Sequence, residues 1–95
     1  TDMSKNKGAR IKLKGRVQRV GFRWFTVQWA EDLDLGGWVK NNWDGSVEVE
    51  VEGNEEKIES LVIELKEGPK DAIVDDINVE WKSFMNQYRK FEIKY

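Results

Sequence analysis

The 95-residue chain contains no cysteine and no histidine. Without cysteine there is no disulfide framework, no thiolate nucleophile and no Cys-based zinc or iron–sulfur site. Without histidine, the usual acid–base group near neutral pH and the commonest metal ligand are both missing. Triad hydrolases and imidazole-ligated zinc enzymes are excluded, so any catalysis must rely on positioning and charge. No apolar run approaches the roughly 18 residues needed to cross a bilayer, which rules out a membrane-spanning protein. The lack of disulfides fits a reducing cytoplasm, and a cytoplasmic location is expected. Residues 1–8 are polar and lack the apolar segment of a secretory signal, so they read as a flexible N-terminal tail. Residues 9–95 are left as a single domain.

What the chain does have is aromatic residues and unevenly placed charge. Five Trp, four Phe and a hydrophobic share of 39% suffice for a small core. Residues 1–23 hold eight basic side chains against one acid, whereas the remainder holds eight against seventeen. A basic N-terminal quarter suggests an anionic partner. Charge alone is met equally by a lysine-decorated strand with a wet basic face, and that is the simpler reading.

The periodicities place most elements. Ala9, Ile11 and Leu13 alternate with Arg10, Lys12 and Lys14, a half-buried strand ending at Gly15. Residues 16–21 form a loop. From 22 to about 35, Phe22, Phe25, Trp29, Ala30 and Leu33 recur at helical spacing, and Gly36-Gly37 is expected to end that helix. Trp38-Val39-Lys40 opens a second strand, and Asn42-Trp43-Asp44-Gly45 predicts a tight hairpin. Val47, Val49 and Val51 alternate with Glu48, Glu50 and Glu52, whose row is expected to face water. Asn54 is an N-cap for a second helix with a stripe of Ile58, Leu61, Val62 and Leu65, stopped by Gly68-Pro69. Ile77, Val79 and Trp81 alternate in a fourth strand, and Phe91, Ile93 and Tyr95 in a last short one. This order predicts an α+β fold, the ferredoxin-like split βαβ sandwich: an antiparallel sheet in order 4-1-3-2 with two helices on one face. The terminal segment's place is left open.

The stretch from Gly15 to Arg23 carries the chemistry. It runs from a strand into the first turn of a helix, where backbone N–H groups lack intrahelical partners and can converge on an anion. Arg23 lies in that first turn, where a cation opposes the helix dipole unless an anion is nearby. Its planar fork can grip two oxygens of such an anion at once.

These residues resemble the acylphosphatase signature G-x-V-Q-G-V-x-F-R, matched at Gly15, Val17, Gln18, Val20, Phe22 and Arg23. A second block, Gly37-Trp38-Val39-Lys40-Asn41 through Gly45-Ser46-Val47 to Gly53, resembles the family's other signature. The resemblance implies a cytoplasmic, metal-independent hydrolase of acyl phosphates, which are carboxyl–phosphate mixed anhydrides, releasing carboxylate and inorganic phosphate. It implies no metal and no organic cofactor. By matching position, Arg23 would bind the phosphoryl oxygens and Asn41 would orient the attacking water. The backbone of Gln18, Arg19, Val20, Gly21 and Phe22 would complete the cradle. The chemistry suits a chain without histidine, because a carboxylate leaves without being protonated and phosphoryl transfer asks mainly for positioning and charge stabilisation. The partners expected are the acyl phosphate and phosphate, with no nucleic acid and no membrane, and the chain is read as a monomer.

The family's central loop glycine is here Arg19, at a position where glycine permits positive φ. Three outcomes follow: a shift to β-like backbone that removes amides from the cradle, a strained loop with the guanidinium outward, or a second cation over the anion. Reduced or altered activity is the first expectation, with Arg19→Gly raising kcat/KM. Lys14, Arg16 and Lys40 read as solvated charges. Phe22, Phe25, Trp29 and Phe91 read as core, and Trp43 as a cover for the hairpin end. The alternative function is a non-catalytic ferredoxin-like module binding an anion or RNA. RNA recognition on such a sheet normally uses exposed aromatics on central strands, whereas the outward residues here are Arg10, Lys12, Lys14 and the glutamates.

Overall fold

The computed structural model describes residues 5–95. The elements run β1 (Asn6–Arg16), α1 (Phe22–Asp32), β2 (Gly36–Asn41), β3 (Val47–Asn54), α2 (Glu55–Glu67), β4 (Ile73–Lys82) and β5 (Phe91–Ile93). The sheet order is β4-β1-β3-β2-β5. The four long strands pair antiparallel in the expected 4-1-3-2 order, and β5 joins β2 in parallel, so the complete sheet is mixed. The result is an α+β ferredoxin-like fold. No helix among the described residues is long and apolar enough to cross a membrane.

The core forms where the strand alternation points it. Ala9, Ile11 and Leu13 stand opposite Val51, Val49 and Val47, and all six are fully buried together with Val39. Helix α1 adds Phe22, Thr26, Val27 and Ala30, and α2 adds Ile58, Leu61 and Leu65. Asn54 caps α2 as expected, its Oδ1 accepting from the amides of Glu56 (2.9 Å) and Lys57 (3.3 Å).

Several boundaries differ from the sequence reading, each for a local reason. Strand β1 starts at Asn6, not Ala9, because residues 6–8 pair with Asn54, Gly53 and Glu52. The rest of the expected tail, residues 1–4, lies outside the described residues. Helix α1 stops at Asp32 rather than at the glycine pair. Asp34 takes the left-handed conformation (φ 58°), while the amides of Asp34 and Leu35 close back onto Glu31 and Ala30. Gly36 and Gly37 are instead strand residues. A Cβ on Gly37 would lie 1.9 Å from the Glu50 carbonyl oxygen, so glycine is needed there for close strand approach. The hairpin loop spans residues 42–46, closed by the Asn42 amide donating to the Ser46 carbonyl at 2.8 Å. Trp43 at its tip is fully exposed and covers nothing. Strand β4 begins at Ile73, and its extra residue bulges opposite Lys14 and Gly15.

The glutamate row corrects the largest expectation. Glu50 and Glu52 are only 6% and 5% exposed, not wet. With β4 and β5 at opposite edges, residues 83–90 must cross the sheet on the face away from the helices. That crossing segment covers the row. Glu52 accepts the amides of Met85 (2.6 Å) and Gln87 (2.9 Å), and Tyr88 donates its hydroxyl to Glu50 at 2.9 Å. Arg10 and Lys82 pair with Glu50 at 3.1 and 2.7 Å, and Arg10 also pairs with Glu48 at 2.6 Å. Burial by itself raises the Glu50 carboxyl, but hydrogen bonds from Lys82, Arg10 and Tyr88 outweigh it and lower the pKa to about 2.

Candidate active site

The loop between β1 and α1 is held at both ends. Gly15 sits at the bulge, where a Cβ would come within 2.3 Å of the Ile73 carbonyl oxygen and φ is 125°. At the other end Gly21 adopts a left-handed φ of 78° and caps α1 through its backbone alone, its carbonyl accepting the Phe25 amide at 3.0 Å. Val17 anchors the middle in the core. The amide N–H groups of residues 18–24 make no hydrogen bond to a protein acceptor among the described residues. Such a row of free donors at the start of a helix attracts anions, and α1 has no acidic residue in its first turn to satisfy it.

One cleft of about 160 Å³ gathers Val17, Arg19, Gly21, Phe22, Arg23, Trp24, Asn41 and Ile93. Arg23 and Asn41, 18 positions apart in sequence, thus share a wall because β2 and the loop meet at one end of the sheet. The Arg23 guanidinium packs 5.3 Å from the Tyr95 ring centroid and makes no ion pair among the described residues. Asn41 ends β2, and its Oδ1 is buried without a hydrogen-bond partner among the described residues. A buried amide oxygen in that state costs free energy, which a donor arriving in the cleft would recover.

Not every expected residue reaches the cleft. Gln18 turns its side chain to the hairpin, its Nε2 donating to the carbonyls of Asn42 (2.8 Å) and Ser46 (2.9 Å). It therefore clips the loop to the hairpin that follows Asn41, and is not among the residues that line the cleft. Val20 packs against the core, and Phe22 is 2% exposed, so each can offer only its amide. Within the hairpin, Ser46 donates to Asp44 from its hydroxyl and amide, holding the Asp44 carboxyl below the ordinary range.

Arg19 takes φ 63°. Position 19 has kept a left-handed backbone, so the β-like shift named among the three outcomes does not occur. The sequence reading missed Trp24, Ile93 and Tyr95 as neighbours of the site. The exposed position of Trp24 in the first helical turn was a usable signal, whereas Ile93 and Tyr95 arrive only because β5 docks beside β2.

A profile of the acylphosphatase family matches residues 9–93. The chain belongs to the acylphosphatase family. It is 43% identical over 94 residues to the acylphosphatase of Salinibacter ruber, covering 99% of this chain and 97% of that one. The crystal structure of acylphosphatase from Bacillus subtilis superposes with a TM-score of 0.91 at 40% identity, covering 94% of this chain and 99% of the other. Full-length HypF in its phosphate- and nucleotide-bound form matches with a TM-score of 0.87 at 36% identity, over 95% of this chain but 12% of HypF. The protein is thus an enzyme, an acylphosphatase, and its reaction is acyl phosphate hydrolysis. The non-catalytic module falls away with that assignment.

Proposed function

We propose that residues 9–95 form the working acylphosphatase unit, and that Arg23 and the free amides of the loop bind the phosphoryl group while Asn41 orients the attacking water. The observation carrying this reading is the unpartnered Oδ1 of Asn41, buried on the same cleft as Arg23 and the amide row. The amide oxygen accepts a hydrogen bond from water and directs its lone pair at phosphorus. The water oxygen forms the new P–O bond as the P–O bond to the acyl carboxyl breaks, and its electron pair leaves with the carboxylate. The water proton passes to a phosphoryl oxygen, since no side-chain base lines the cleft among the described residues. Arg23 and the amides stabilise the charge on the equatorial oxygens. No metal or organic cofactor enters the scheme, and the working species is a monomer acting on a small acyl phosphate without nucleic acid.

The test is Asn41→Ala assayed on benzoyl phosphate. We expect kcat to fall about a hundredfold, because water orientation is lost in the transition state. Unchanged kcat would remove Asn41 from the mechanism.

A second expectation concerns Arg19. Its left-handed backbone costs about 1 kcal/mol that glycine does not pay, so Arg19→Gly raises Tm by about 4–8 °C. The same variant clears a long side chain from the cleft and raises kcat/KM on benzoyl phosphate. A lower Tm, followed by circular dichroism, would show that the strain argument is wrong.

A further inference from the structure

Arg19 burdens the fold without serving it. The residue holds φ 63°, and its guanidinium makes no hydrogen bond, ion pair or ring contact among the described residues. It is exposed at the wall of the cleft. A strained residue with no structural partner, standing at a binding cleft, points to a ligand. The ligand is anionic, because among the described residues no Asp or Glu lines the cleft to balance this second cation.

The phosphoryl group already has Arg23 and the amide row. At about 160 Å³ the cleft is small, so acyl chains of more than a few atoms extend past its rim. The exposed Arg19 side chain stands at that rim. We propose that Arg19 is a specificity-determining residue that binds a second anionic group carried on the acyl chain, so that the enzyme favours acyl phosphates with an acidic acyl part. This rests on the phosphoryl-binding reading above. The guanidinium makes and breaks no covalent bond; its planar fork takes two oxygens of the distal anion. Its exposure leaves the contact open to screening by salt.

The experiment compares kcat/KM on 4-carboxybenzoyl phosphate and benzoyl phosphate, which differ only in the distal carboxylate. At low ionic strength the wild type is expected to favour the carboxylated substrate. In Arg19→Gln the ratio falls about fivefold, the scale of an exposed charge-assisted contact. Arg19→Lys keeps a larger share of the ratio than Arg19→Gln, and salt on the order of 0.5 M shrinks the wild-type preference. An unchanged ratio in Arg19→Gln overturns the proposal. So does an equal loss on both substrates, which would put Arg19 on the phosphoryl group instead. The two readings fail separately. If Arg23→Ala hydrolyses both substrates at the wild-type rate, the cradle itself is wrong. If Arg23→Ala loses most of its activity on both substrates while the ratio ignores Arg19, the cradle stands and only the role of Arg19 falls.

Discussion

Replacing Arg23 with alanine is expected to lower kcat/KM on benzoyl phosphate about a thousandfold, or roughly 4 kcal/mol of transition-state stabilisation. In the proposed mechanism the transition state spreads charge over the equatorial phosphoryl oxygens while the acyl carboxylate departs with the electron pair. Arg23 is the one cation in the first helical turn beside the free amides. Truncation leaves the amide row intact, so some catalysis should remain. Stability should hardly change, because among the described residues the guanidinium has no ion pair to lose and makes a ring contact with Tyr95 alone. That combination, large kinetic loss with Tm within a few degrees, separates a catalytic role from a structural one. Arg23→Lys keeps the charge but presents a point ammonium in place of a fork. It is expected to raise KM and to weaken competitive inhibition by inorganic phosphate. A near-wild-type KM in the lysine variant would count against bidentate binding.

Glu50→Gln should damage the fold more than its conservative size suggests. The carboxylate is 6% exposed and accepts from Arg10, Lys82 and Tyr88. Removing its charge leaves two cations facing an uncharged amide beneath the crossing segment. Breaking a buried pair in this way typically costs 3–5 kcal/mol. Here Arg10 and Lys82 are themselves 42% and 36% exposed, and water screens what they lose. A loss of about 2–3 kcal/mol at pH 7 is expected from urea unfolding.

The same contact makes stability depend on acid. The Glu50 pKa is lowered from 4.5 to about 2 on folding. Its contribution is therefore complete above the unfolded value, and is lost progressively as the pH falls from 4.5 toward 2. The wild type should lose stability more steeply across that window than Glu50→Gln. Equal slopes for the two proteins would show that Glu50 is not the group responsible.

How much of this was legible in the chain depends on distance along it. Strict alternation of Val47, Val49 and Val51, the Asn54 cap and the two signature blocks are local patterns, and they led to the strands, the second helix and the pairing of Arg23 with Asn41. The end of α1 was misplaced because a glycine pair is the usual stop, whereas Asp34 tolerates the left-handed conformation through its short polar side chain. The glutamate row was misread for a different reason. Alternation shows which residues share a face, but not what lies over that face.

The residues themselves limited the chemistry, and the two signature blocks named it by resemblance. With no histidine or cysteine, a turn of free amides entering a helix and one arginine in its first turn left positioning and charge as the expected means of catalysis. Only the tertiary structure decided that Gln18 clips the loop to the hairpin, that Arg19 keeps a left-handed backbone, that β5 brings Ile93 to the cleft and Tyr95 beside Arg23, and that residues 83–90 bury Glu50 and Glu52. The physical reason is that each of these rests on contacts between segments far apart in the chain or on the strain that surrounding packing will hold. Neither is written in local spacing.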